Sequence, residues 1–147
     1  MAGEKDPLVS AWFALEFQGK IEGSFKECTG MGSETQVVEH KATGPKGEYV
    51  MKKLPGRMKW NDIVLKQGIT DSMSMWKWRE LCEQGKINEA RKNGSVIMFN
   101  QEMKEVARWD FVNAWPSKIS GPTGNAANNE VGLEELTITH EGYKRVK

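Results

Sequence analysis

The chain has 147 residues, the size of one domain with a single core and too short for two comfortable ones. Its 21 Lys and Arg balance 20 Asp and Glu, so no excess of positive charge points to nucleic acid or an anionic membrane. Cys28 and Cys82 are the only cysteines, too few for a disulfide scaffold and expected as free thiols of a reducing cytoplasm. The N-terminal apolar residues are interrupted by Ser10, Glu16 and Gln18, which gives neither a signal-peptide core nor a membrane span.

From Trp12 to Phe17 the sequence alternates, with Phe13, Leu15 and Phe17 on one side, as in a half-buried strand. A turn at Gly19 and Lys20 returns the chain through Ile21–Cys28, and Gly30 and Gly32 allow a further reversal. In a third strand, Glu34–Lys41, neither face is strongly apolar, which implies water or a polar partner on at least one side. Residues 41–57 form a segment too long for a hairpin turn, punctuated by Gly44, Pro45, Gly47, Pro55 and Gly56. It nevertheless carries Tyr49, Val50, Met51 and Leu54. Two readings stay open: an arm that docks on another subunit, or a loop folded back over its own core.

Met58–Lys66 reads as a strand, after which the period changes. Met75, Trp78, Leu81 and Cys82 recur three and four residues apart and predict one helix over about 72–84, with Thr70 or Asp71 as N-cap and Gly85 past its end. Strands Ser95–Asn100 and Val106–Trp115 then pair across 101–105. In the second, Trp109, Phe111, Asn113 and Trp115 alternate on one face, and Pro116 ends the strand. The Gly, Pro and Asn residues of 117–129 predict a loop, with extended structure resuming at Glu130. The fold class is mainly β, a small antiparallel β-barrel or sandwich with one flanking helix and a single domain over 1–147. Phe13, Leu15, Phe17, Trp78, Trp109, Phe111 and Trp115 are its expected core.

No enzyme motif stands out. His40 and His140 are the only imidazoles, neither at metal-ligand spacing from a cysteine, so no catalytic residue, metal or cofactor is expected. Glu134 and Glu135 are neighbours on a strand and point to opposite faces, which suits solvated or interfacial charge better than acid–base chemistry. Glycine-rich phosphate loops are missing. The six tryptophans sit mostly in apolar periodic segments where the local charges are of both signs, which weakens a second reading as a single-stranded nucleic-acid-binding β-barrel.

Taken in order, KLPG at 53–56, KWNDIVLKQG at 59–68, MWKW at 75–78, RWDFVNAWP at 108–116 and GPTGNAANNEVGLEELTITHEG at 121–142 carry a resemblance over nearly the whole chain. The series resembles the tail tube protein family of contractile phages and phage-like contractile injection systems. That resemblance implies hexameric rings whose inner strands close a continuous lumenal β-barrel, stacked into a hollow tube that sheath contraction drives through a target envelope. It implies ring-stacking contacts at Pro45, Tyr49, Met51, Leu54, Pro55 and Gly56, and subunit or lumen contacts at Glu34, Gln36, Val38, Asn125, Asn129 and Glu130. The implied partners are further copies of the chain, a sheath protein, baseplate and tube-initiator proteins, a tube cap or terminator, and a lumenal protein cargo, with no membrane insertion. The implied setting is a particle assembled in the bacterial cytoplasm. A tube-initiator or baseplate adaptor of the same machine shares these motifs and remains an alternative.

Overall fold

The computed structural model describes residues 12–68, 72–121 and 133–147. In them β1 (Trp12–Phe17) and β2 (Lys20–Phe25) form a hairpin. Its turn is Gln18–Gly19, both at positive φ (53° and 79°) as a tight primed turn requires, one residue earlier than the sequence suggested. Only Lys26 separates β2 from β3 (Glu27–Thr29), and its amide donates to the Lys66 carbonyl at 3.0 Å. β4 (Ser33–Thr43) and β5 (Tyr49–Trp60) follow as a separate two-stranded ribbon. The chain continues through β6 (Ile63–Gly68), α1 (Ser74–Glu83), the single turn α2 (Ile87–Ala90), β7 (Lys92–Phe99), β8 (Glu105–Ser120), β9 (Leu133–Thr139) and β10 (Tyr143–Arg145).

The main sheet runs β2-β1-β7-β8-β9-β6-β3, antiparallel throughout, with β10 on β8. Because β2 and β3 are two halves of one bent strand, the first pairing β1 and the second β6, the sheet closes on itself. The body is therefore a barrel, and closure removes the open edges that a flat sheet would expose.

Two expectations about β8 are corrected. Pro116 does not end the strand: it pairs with Ile138 next to a register shift and is buried, a bulge site where a missing amide donor is tolerated. Asn113 is not an inward residue. It sits exposed at φ 48°, in a bulge opposite Asn93, whose side-chain oxygen accepts its amide hydrogen at 2.9 Å. That bulge bends β8 so that its first half pairs β7 and its second half β9.

The barrel interior holds Leu15, Phe17, Phe25, Ile63, Leu65, Val96, Phe111, Ala114, Leu136 and Ile138. α1 adds Met75 and Trp78, with the Trp78 ring edge-on to Phe17 at 4.9 Å and its indole N–H on the Ala90 carbonyl at 2.6 Å. The helix starts two residues later than predicted, and Thr70 and Asp71 lie outside the described residues. At its end Gly85 donates to Cys82 and Lys86 to Leu81, the paired bonds of a Schellman stop. Of the expected core, Leu15, Phe17, Trp78 and Phe111 are buried, whereas Phe13, Trp109 and Trp115 are half-buried at its margin. Glu134 is not a solvated charge. It is buried, accepting from Trp76 Nε1 at 3.1 Å and Gln67 Nε2 at 3.2 Å, while Glu135 lies on the other face. Burial pushes the Cys28 thiol up to about 12, which makes it a packing group and not a nucleophile.

Candidate assembly surface

The ribbon β4–β5 corrects the reading of 34–66. What looked like a strand, a long loop and a second strand is one hairpin in register from Ser33 opposite Trp60 to Thr43 opposite Tyr49. Its turn is closed by Gly44 donating to Glu48 at 2.7 Å and Gly47 to Gly44 at 3.0 Å. Met58–Lys66 is divided at Asn61 and Asp62, its first part belonging to the ribbon and its second to β6. With 11 residues in β4, the ribbon reaches roughly 35 Å at about 3.3 Å per residue.

Pro55 and Gly56 stay inside β5 because the ribbon bulges there: Thr35 pairs with Met58 but Val37 pairs with Pro55, so two residues of β5 oppose Gln36. A Cβ on Gly56 would stand 3.0 Å from the Gln36 carbonyl oxygen. Glycine is what lets the strands approach at this bulge. The bend opens a groove of about 660 Å³ lined by Glu34, Gln36, Val37, Arg57 and Met58 among others.

The ribbon does not fold back over its own core. β4 and β5 pack on each other and scarcely on any other element. Tyr49 is 89% exposed, and Val37, Val38, Val50, Met51, Leu54 and Met58 are exposed too. Cross-strand register assigns them to both faces: Val38, Ala42, Val50 and Leu54 share one, and Val37, Tyr49, Met51, Pro55 and Met58 share the other. Glu34 pairs with Lys59 and Glu39 with Lys53, opposite charges that help fix the register. Among the described residues no strand pairs with either outer edge of the ribbon. An isolated two-stranded hairpin is marginal in water, and long open edges invite pairing with other chains.

The ribbon therefore brings together Glu34, Gln36, Val38, Pro45, Tyr49, Met51, Leu54, Pro55 and Gly56, whereas Asn125, Asn129 and Glu130 lie outside the described residues. Sequence reasoning missed the pairing of β4 with β5 and the exposed apolar Val37 and Met58. Opposite charges at Glu34 and Lys59 and at Glu39 and Lys53 were the signal available. From Ser33 to Trp60 there are six Lys or Arg and three Glu, a charge of +3; the whole chain is +1, so the remainder carries −2.

Among the described residues no three or more His, Cys, Asp or Glu are placed to hold a metal ion, and no described helix is long and apolar enough to cross a membrane. Of the described aromatic side chains only Tyr49 is exposed, so the barrel offers no row of rings on which bases stack.

The family model described as T4-like virus tail tube protein gp19 matches residues 9–144. The chain belongs to this tail tube protein family. No curated protein sequence matches it. Its fold is similar to a solved chain of the sheath–tube complex of an extracellular contractile injection system, PVC, in the extended state (TM-score 0.71, 18% identity, covering 95% of this chain and 90% of that one). It is similar also to a chain from the sheath/tube terminator of that system (TM-score 0.75, 17% identity, 99% and 100%). A more distant likeness is to Hcp1 from Flavobacterium johnsoniae (TM-score 0.55, 17% identity, 92% and 94%). The tail tube fold thus accounts for both the closed barrel and the ribbon that leaves it.

Proposed function

We propose that this tail tube protein is the inner tube subunit of a contractile injection system or phage-like tail. Six copies close a ring, rings stack into a hollow tube, and a contracting sheath drives the tube through a target envelope while the lumen conducts cargo. One observation carries the reading: among the described residues the sheet of the body returns on itself through β2 and β3 and β10 covers the first half of β8, while the ribbon keeps two open edges along its whole length and apolar groups on both faces. Ring closure pairs those edges, and a head-to-tail contact repeated along an axis makes a filament from one short chain. The +3 ribbon and the −2 remainder are complementary, which favours ribbon against body of another copy.

In this reading Tyr49, Met51 and Leu54 supply ring-stacking contacts with Pro45 at the turn, and Pro55 and Gly56 shape the bend that aims them. Glu34, Gln36 and Val38, with Asn125, Asn129 and Glu130, face neighbours or the lumen. The partners are sheath, baseplate, initiator and terminator proteins and a protein cargo, and assembly takes place in the cytoplasm. The chain catalyses nothing and holds no cofactor.

Sedimentation velocity of the purified chain over a range of concentrations tests this. Hexamers and larger stacks are expected, with long filaments marking the main tube and single rings marking an initiator or adaptor. A monomer at every concentration that binds single strands with steep salt dependence sinks the tube reading in favour of a nucleic-acid-binding barrel.

A further inference from the structure

The HEG string at 140–142 has no role in the assembly surface described above, yet it sits at the root of the ribbon. His140 is only 8% exposed. Its Nε2 lies 3.0 Å from the Asn61 carbonyl, and its Nδ1 accepts the Gly142 amide hydrogen at 3.1 Å. The second bond uses the lone pair on Nδ1, which places the donor on Nε2, and that N–H donates to Asn61. The Trp60 and Tyr143 rings meet edge-on at 4.9 Å and both flank the imidazole, at 6.1 and 5.8 Å.

The other two residues of the string tie the cluster to the barrel. Glu141 accepts from Asn113 Nδ2 at 2.6 Å, and its backbone amide donates to Val112 at 3.0 Å, both at the β8 bulge. Gly142 has φ 149°, and a Cβ there would stand 3.3 Å from the Trp60 indole. The β8 bulge, the β9–β10 turn and the last pair of the ribbon therefore converge on one imidazole.

We infer that His140, clasping Asn61 and packed by Trp60 and Tyr143, is a positioning residue that sets the angle of the β4–β5 ribbon to the barrel and thereby makes it competent to pair with other copies. The inference rests on the ribbon being the assembly element. Its physical reason is leverage: a swing of about 10° at the root moves the tip of a ribbon this long by roughly 6 Å, more than the ~4.8 Å between paired strands. The ribbon has scarcely any other packing to hold it. An untied root thus presents edges out of register.

Two substitutions in the full chain separate the two bonds. Gln in H140Q places a donor near the position of Nε2 and keeps the tie to Asn61. Asn in H140N places an acceptor near Nδ1 and keeps only the turn. Trp60→Leu is a third variant that loosens the root without touching either bond of His140. Circular dichroism reports folding, electron microscopy reports tubes, and the distance between spin labels at Lys46 and Glu102 reports the ribbon angle. For that measurement Cys28 and Cys82 are replaced and labelled protein is diluted with unlabelled.

H140Q is expected to form tubes as the parent does with a narrow distance distribution. H140N and Trp60→Leu are expected to stay folded, broaden the distribution and raise the concentration needed for tubes by about tenfold, as each subunit gives up one hydrogen bond or one packed ring. H140N indistinguishable from the parent in tubes and in distances overturns the inference, because His140 then serves the turn alone. Should H140N unfold, an unchanged distribution in Trp60→Leu overturns it equally. If the parent chain makes no tubes, the tube reading fails, and the distance distributions still decide whether His140 holds the ribbon.

Discussion

Replacing residues 41–51 with Asn-Gly is expected to leave a barrel that folds and melts as the parent does but forms no stacked rings. His40 and Lys52 pair across the ribbon, so a two-residue primed turn between them closes the shortened hairpin in register. The removed residues include Tyr49 and Met51 on one face and Ala42 and Val50 on the other, with none of the barrel core. The body keeps its closed sheet because neither β4 nor β5 belongs to it. A circular dichroism melt beside sedimentation velocity reads both halves of the result. Loss of the folded state would mean that the ribbon is structural for the monomer, and tubes of ordinary length would mean that stacking uses another surface.

Phe111→Ala is expected to have the opposite pattern, a stability loss of about 3–5 kcal/mol, typical of a buried aromatic truncated to Ala. Phe111 is 1% exposed and meets the Phe17 ring edge-on at 6.1 Å, in the cluster that Trp78 completes. The cavity lies where β8 pairs both β7 and β10, with Gly94 on one side and Tyr143 on the other. No apolar side chain stands on Gly94 to fill the space. A loss of that size is a large share of the ~5–15 kcal/mol that holds a domain folded. The same truncation at Trp109 is expected to cost less, since that indole is half-buried with Arg145 over its ring at 5.7 Å. Chemical denaturation of both variants checks the order, and Trp109→Ala falling further than Phe111→Ala would refute this placement of the core.

The alternation of Phe13, Leu15 and Phe17 and the three-and-four spacing of Met75, Trp78, Leu81 and Cys82 were legible because each of those elements packs against the chain's own core, which imposes its period on the sequence. The ribbon was not legible for the converse reason. Val37 and Val38 point to opposite faces, as do Val50 and Met51, so a ribbon with apolar groups on both sides shows no period of two. Pro55 and Gly56 then mimic a loop, because nothing local reveals the bulge that accommodates them. Pro116 misled in the same way. His140 stands 79 residues from the carbonyl it binds, a separation that no local pattern spans.

The sheet of the body returns on itself, whereas among the described residues the ribbon pairs with nothing beyond itself; in the proposed function other copies of the same chain complete it. Electron cryomicroscopy of the purified protein at high concentration tests this most directly. Six-fold hollow rings or stacks with β4 and β5 hydrogen-bonded to strands of neighbouring copies are the result this account predicts. Particles that remain single barrels with the ribbon unpaired, or rings whose contacts leave both ribbon edges open, would contradict it.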